Sequence, residues 1–308
     1  MTSFSDPSPQ RSNIKVERPR LKPKSECASC LLSWVSERAG VLTNEEGRLP
    51  LTKTLLEILS REFTSEINVG SLSNKLTEAI PNYLSQSSKF YQTLKRKNNQ
   101  LAKKLLGSAK NYIKKGGTLQ EKFERACCLA SASNVAPMNV PLGGFAFQEV
   151  KRILRGKKPF PALIGPLFQE ARKASRILYI ADNAGEIGFD SLTIACLKEM
   201  GSKINLIVKE GPFFEDATME DVLFLHIDQM VDRIFTLKGF FVPKEIPPVL
   251  KNLYQESDLI IAKGTGNYEA LKDEAKGKTA IYMLKIKCRP IAKEVGVDIG
   301  SFVVKLEK

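Results

Sequence analysis

From Arg176 onward the chain repeats one device: a short apolar, β-branched run followed by a helical segment. The runs are ILYIAD, INLIVK, DRIFTL, DLIIAK, AIYMLK and FVVKL. Strands separated by helices cannot pair through tight hairpins, so they must lie mainly parallel, with crossover helices on both faces of one sheet. Before Arg176 the apolar spacing is helical. Cys30, Leu31, Trp34 and Val35 share a face, as do Leu51, Leu55, Ile58 and Leu59. Further helices are expected over Leu72–Ile80 as far as Pro81, from Phe90 to the Gly116-Gly117 stop, over Leu119–Ala132 and over Phe145–Leu154, with a loop at Met138–Gly144. The expected fold class is therefore α/β: a mainly parallel sheet with helices on both faces, plus an N-terminal helical lobe. Residues 1–26, basic and punctuated by Pro7, Pro9, Pro19 and Pro23, read as a disordered tail. The helical lobe is expected over 27–156 and the α/β lobe over 157–308, with a ligand cleft between them.

No run of the 308 residues is apolar over the length a membrane span needs, and the first residues lack the charged-then-apolar order of a secretory signal. A cytoplasmic protein is expected. The net charge of +13 is concentrated in the tail and in Lys89–Lys115. It could be a nucleic-acid footprint, or a solvated helical face whose field draws in phosphorylated metabolites. No known RNA- or DNA-binding motif is interleaved with it, so the second reading is preferred and nucleic acid is not an expected partner. The six cysteines are too few for a disulfide scaffold and read as thiols or ligands. His226, the only histidine, has no acid or nucleophile at triad spacing, and G-x-S-x-G is absent.

Chemistry gathers at strand ends. In RILYIADNAGEIGFD the run up to Ala181 turns sharply into Asp182, Asn183, Ala184, Gly185 and Glu186, and a helix follows. Open α/β sheets bind their ligands at such carboxyl ends. Asp182 and Asn183 offer hard oxygens suited to Mg²⁺ or Mn²⁺, although Asp-Asn is also ordinary turn chemistry. Gly185 lets the backbone pass close to a ligand, with the N–H groups of the new helix facing any anion. After INLIVK, Thr218 and Asp221 form a helix-cap pattern. Asp216 belongs either to that turn or beside Asp182. After DLIIAK, Lys263-Gly264-Thr265-Gly266-Asn267 is a plausible phosphate cradle but lacks the G-K-[S/T] ending of a P-loop. Asp258, at the opposite end of that strand, reads as structural.

The D-N-A-G-E stretch with Asp190 resembles the signature of the metal-dependent damage-control phosphatases, once a domain-of-unknown-function family, and most closely their archaeal-type branch. The resemblance runs with gaps from Cys27 to about Lys305. It implies one divalent cation (Mg, Mn, Co or Ni) on Asp182, Asn183 and Asp216, with Asp182, Asp216 and Lys263 catalytic. It also implies phosphate contacts from Lys263, Gly264, Gly266, Asn267, Gly185 and Glu186. The substrate would be a small phosphorylated metabolite, such as a sugar phosphate or a damaged derivative. The rival is a non-catalytic sensor of such a metabolite, or an RNA-binding protein using the basic surface. One family element is altered: Ser133-Asn134-Val135-Ala136-Pro137 keeps Asn134 but not the following acid. Lys95-Arg96 with Asn98-Asn99 resembles the family's helical lobe, for packing or for substrate contact. Cys27-x-x-Cys30 and Lys287-Cys288 resemble elements of the same branch. They imply a thiol cluster of Cys27, Cys30 and Cys288 where the lobes join, away from Asp182; plain hydrophobic packing of the thiols is the alternative.

Overall fold

The computed structural model describes residues 21–136, 145–158, 160–275 and 277–308. The expected tail up to residue 20 and the expected Met138–Gly144 loop lie outside them. Among the described residues the strands are β1 (Ala162–Ile164), β2 (Arg176–Ile180), β3 (Lys203–Lys209), β4 (Arg233–Leu237), β5 (Leu259–Lys263), β6 (Ala280–Lys285) and β7 (Phe302–Glu307). They form a 7-stranded sheet in the order β1-β7-β6-β5-β2-β3-β4. The run β6-β5-β2-β3-β4 is parallel throughout. β7 returns antiparallel to β6, and the three-residue β1 pairs parallel to β7. The fold class is the expected one, with a reversed edge the periodicity did not announce. β1 has too few residues to show a period.

β2, β3, β5 and β6 are mostly buried on both faces, as their β-branched character requires, while the edge strand β4 is partly exposed. Alternation sends Ile177, Tyr179 and Ile261 to one face, under α4 (Pro81–Lys114), α5 (Leu119–Ala132), α6 (Gln148–Leu154), α7 (Leu167–Lys173) and α8 (Glu186–Glu199). Leu178, Ile180 and Ile260 point the other way, against α10 (Pro248–Glu256), α11 (Gly264–Leu271) and α12 (Arg289–Val295). A third cluster joins α1 (Ser25–Ala39), α2 (Glu45–Glu62), α3 (Val69–Glu78) and the start of α4 to Phe213, Phe214 and Phe240 from the sheet's loops. The expected boundary between lobes therefore runs through shared cores, and α5 is a sheet-covering helix. α1 begins at Ser25, inside the expected tail. Its neighbour Lys22 meets Glu66 at 2.6 Å.

Local signals account for most element ends. Asn44, Asn68 and Thr118 cap α2, α3 and α5 through their side-chain oxygens. Pro81 occupies the first turn of α4. Thr218 and Asp221 form the expected capping box of α9 (Met219–Phe224). Asp258 accepts the Ser175 and Arg176 N–H groups, a structural role as expected. His226 differs from expectation. It lies beyond the end of α9 with φ +56°, exposed, rather than inside a helix.

The two halves touch closely where α3 meets α11. A Cβ at Gly70 would lie 2.5 Å from Ala270 Cβ, and Asn68 Nδ2 donates to Ala270 O at 3.0 Å. Overpacking a junction of this kind costs about 1–3 kcal/mol. Gly70→Val should lower the urea midpoint accordingly, and adding Ala270→Gly should recover part of the loss. Purely additive effects in the double mutant would contradict the close approach.

Candidate active site

Sheet order places β5 beside β2, which are not successive in the chain, and so creates a crevice at their carboxyl ends. The chain leaving β2 through Asp182 and Asn183 is met there by the loop that follows β3. Asn183 and Asp216 form an antiparallel bridge. The Ala184 N–H donates to Glu215 O at 2.9 Å, and the Ala217 N–H donates to Asp182 O at 2.8 Å. Asp182, Asn183 and Asp216 thus share the wall of a cavity of about 100 Å³. Thr265 and Gly266 at the start of α11, Glu269, and Lys287 beyond β6 complete it on the sheet side. Trp34, Arg38 and Cys30 close it from α1.

α4 fastens both turns. Asn99 accepts from the Gly185 N–H at 2.7 Å and donates to Asp221 at 2.7 Å. Lys95 donates to Thr218 Oγ1 at 2.9 Å and meets Asp221 at 2.8 Å. Gly185 has φ +81°, and a Cβ there would sit 2.9 Å from Asn98 O, so the helix passes where no side chain fits. α1 holds the same loop from the other side. The Arg38 guanidinium grips buried Glu215 through Nε at 3.1 Å and Nη2 at 2.8 Å. These contacts assign Lys95, Asn98 and Asn99 to packing and positioning.

The site buries more negative charge than it balances. Asn134 Nδ2 donates to Asp182 Oδ2 at 2.8 Å and to Glu186 Oε2 at 2.9 Å; Asn183 Nδ2 donates to the same two carboxylates. Lys263 is fully buried, 2.8 Å from Asp190 and 3.6 Å from Glu186. Burial pushes the Asp182 and Asp190 carboxyls up against the pull of Lys263. Burial also lifts Glu186 and Asp216 to about 8, Glu186 with Asp182 adding to the rise and Lys263 opposing it. Burial lowers Lys209, which stands 3.5 Å from Asp216. Among the described residues Asp216 Oδ2 accepts no hydrogen bond and has only the long Lys209 contact. A carboxylate oxygen this weakly held, beside a second carboxylate and an amide, is a donor set that fits a hard divalent cation.

The chain's residues 24–303 match the model of the damage-control phosphatase ARMT1-like domain. The chain belongs to this family. It is 28% identical to a damage-control phosphatase of Archaeoglobus fulgidus over 285 residues, covering 91% of this chain and 97% of that protein. It is 27% identical to a Pyrococcus horikoshii damage-control phosphatase over 296 residues, covering 94% of this chain and 99% of that protein. A crystal structure of a DUF89-family protein from Pyrococcus horikoshii superposes with a TM-score of 0.77 at 25% identity, covering 93% of this chain and 99% of that one.

Within this family member, the residues expected to bind phosphate divide into two groups. Gly266 lines the cavity. Lys263 and Glu186 are buried against one another, and a negative Glu186 would repel an anion. Asn267 spends its Nδ2 on Ala181 O and Lys263 O. The Gly185 N–H is taken by Asn99. Gly264 has φ +81° and packs against Asp182, where a Cβ would meet Oδ2 at 2.0 Å. The cavity's own cation is Lys287, half-buried on its wall. Its position after β6 was visible in the sequence; its orientation was not. Arg38 and Trp34 carried no sequence signal. Ionised Cys27 and Cys30 would repel a Cys288 thiolate, so the three thiols lie near one another, but Cys30 lines the same cavity as Asp182 rather than standing away from it. Burial raises Cys30 to about 11 and Cys288 to about 12, so all three stand as thiols. Among the described residues no group of three His, Cys, Asp or Glu side chains is arranged to hold a metal, the thiols included.

The raised carboxyls give a signed prediction. A carboxyl whose folded pKa exceeds its unfolded value supports folding fully at low pH and loses that support as pH rises through the folded pKa. Metal-free protein should therefore lose thermal stability between pH 4 and about 8, the value reached by Asp216. Asp216→Asn, which keeps the shape without the charge, should be more stable than the parent at pH 8 and no more stable near pH 4. Parallel Tm–pH curves for the two proteins would contradict this.

Proposed function

We propose that this family member hydrolyses small phosphomonoesters with one divalent cation (Mg²⁺, Mn²⁺, Co²⁺ or Ni²⁺) held by Asp182, Asn183 and Asp216. The observation that carries the reading is the convergence of these three side chains on one cavity wall, with Asp216 Oδ2 held only by a long 3.5 Å contact to Lys209. When bound, such a cation polarises a phosphoryl oxygen and lowers the pKa of water.

The chain's own groups supply the rest. Lys287 balances charge on the phosphoryl oxygens, as phosphoryl transfer chiefly requires. Thr265 and Gly266 offer backbone N–H groups of the first turn of α11, which have no partner within the helix. Lys263 works one layer behind. By pairing Asp190 and Glu186 it limits the repulsion that would otherwise drive Asp182 to bind a proton. Burial lifts Glu186 to about 8, and its oxygens accept from Asn134 Nδ2 and Asn183 Nδ2. Trp34, Phe214 and Phe240, with ring centroids 5.4–5.9 Å apart around Trp34, wall the cavity and exclude water from the carbon end of a substrate.

The test is turnover of p-nitrophenyl phosphate and a panel of sugar phosphates by metal-stripped protein, with each cation added in turn. Activity should appear only with a cation and should vanish in Asp182→Asn and Asp216→Asn. Absence of cation-dependent turnover on every substrate would overturn the reading. The two lysines should separate cleanly. Lys287→Ala should reduce kcat/KM on the order of 10²-fold with unchanged Tm. Lys263→Met strands two buried carboxylates and should cost about 3–5 kcal/mol of stability. Equal effects of both variants on Tm would refute this division of roles.

A further inference from the structure

The outer face of α4 has no role in the site just described. The helix spans 34 residues, about 51 Å at 1.5 Å per residue, and contains no Asp or Glu. Lys89, Arg96, Lys103 and Lys110 recur at seven-residue spacing, and all are exposed. Seven residues are nearly two turns, so these four form one row, with steps of about 10 Å. Lys97 and Lys104 flank the row, and Lys114 and Lys115 extend it to the helix end. The other exposed residues on this arc are Gln92, Thr93, Gln100, Gly107, Ser108 and Asn111, all uncharged and most of them small.

A helix face selected only for solubility interleaves opposite charges, because pairs at i,i+4 stabilise and like charges there destabilise. Several exposed lysines elsewhere in the chain follow that pattern: Lys53 with Glu57 at 3.9 Å, Lys173 with Glu170 at 2.9 Å, and Lys198 with Asp232 at 2.8 Å. Among the described residues, none of the basic groups on the outer face of α4 has an acid within ion-pair distance. Lys110 and Lys114 stand in the repulsive i,i+4 relation. Folding alone gives no reason to collect these charges and leave them unpaired.

We propose that the outer face of α4 is a docking surface for the sugar-phosphate backbone of duplex DNA. A straight basic row of about 30 Å from Lys89 to Lys110 matches a rod that carries one charge per ~1.7 Å of axis. A membrane surface would call for large apolar side chains on the same face. The exposed large apolar residues of the chain include none from α4; Phe224 of α9 adjoins the row and is covered by Lys103 Nζ, 5.0 Å from its ring centroid. Single strands bind proteins through aromatic stacking platforms; the row contains no aromatic residue, and the face of its neighbour Phe224 is taken by Lys103. Nothing on this face reads base edges, so binding is sequence-independent. The inner face of the same helix, through Lys95 and Asn99, meanwhile holds the site loops.

The experiment is fluorescence anisotropy of the full chain against a duplex RNA and a duplex DNA of roughly 20 base pairs, a single-stranded RNA of the same sequence, and phosphatidylserine vesicles, each across a salt series. With four to six phosphate contacts, the plot of log K against log salt should fall with a slope of about −4 to −5 for duplex DNA. The triple variant Arg96→Glu, Lys103→Glu, Lys110→Glu should bind at least 10-fold more weakly at ~100 mM salt. Its circular dichroism and cation-dependent phosphatase activity should be unchanged. Should the triple variant misfold, the neutral set Arg96→Gln, Lys103→Gln, Lys110→Gln replaces it and should flatten the slope by roughly 0.9 per lost contact. Wild-type affinity in the folded variants, or tighter binding to the duplex RNA than to the duplex DNA, would overturn the proposal. So would no duplex binding at ~50 mM salt, or tighter binding to single strands or vesicles than to either duplex.

Discussion

Asn183 and Asp216 face each other across a backbone bridge between two turns that leave different strands, and the consequences are mainly electrostatic. The bridge brings Asp182 and Asp216 to one wall, with Glu186 and Asp190 behind the first and Glu215 adjoining the second. Unit charges about 4 Å apart interact by about 4 kcal/mol at an effective dielectric of 20, so uncompensated carboxylates at this density would drive the turns apart. Three devices oppose that. Lys263 and Lys209 bring positive charge into the interior, Asn134 donates to two carboxylates at once, and Glu186 and Asp216 rise to about 8 and so can retain protons. A divalent cation would replace the protons with a stronger counter-charge. The electrostatic state of the metal-free protein is thus already the argument for its ligand.

That density also explains the helical lobe. Turns under such repulsion need external anchorage, and the sheet supplies it from one side only. Arg38 on α1 grips Glu215 next to Asp216, while Asn99 on α4 ties the turn at Gly185 to Asp221. Both anchors are buried and charge-assisted or double-ended, the kind of contact whose truncation leaves an unpaired polar group inside. Substrate would enter between the lobes, so the groups that hold the ligand turns also wall the cavity: Arg38 lines it directly, as does Trp34 one turn away.

Periodicity made β2 through β7 legible because each strand is long enough to show its β-branched run; the strand-end rule then pointed to Asp182 and Asn183, and the family resemblance added Asp216. β1 escaped it because three residues carry no period, and the reversal of β7 because direction leaves no mark in a single strand's composition. The failures within the site have a different cause. Lys263 ends a strand, and such a residue can point toward the crevice or back into the sheet. The choice depended on Asp190, in the second turn of α8, being buried beside Lys263. Arg38 and Glu215 are 177 positions apart, and nothing local in either sequence announces the other. Position along a strand predicts that a group is near the site. It does not predict which neighbour claims its charge.

α4 shows how far one helix can serve unrelated demands. Its apolar positions, such as Leu94 and Ala102, enter two different cores. A second set, Lys95, Asn98 and Asn99, is polar yet buried, which is tolerable because Thr218, Asp221, Gly185 and Phe145 satisfy most of it, Asn98 Nδ2 excepted. The solvent-facing third set carries basic and uncharged residues and no acid. On an isolated helix such a face would be penalised by self-repulsion, but here the penalty is borne by tertiary packing, from which most helical stability in proteins comes. A helix held this firmly on its inner side is free to carry an outer charge pattern that local stability would not select, and that freedom lets a surface function evolve on the back of a catalytic scaffold.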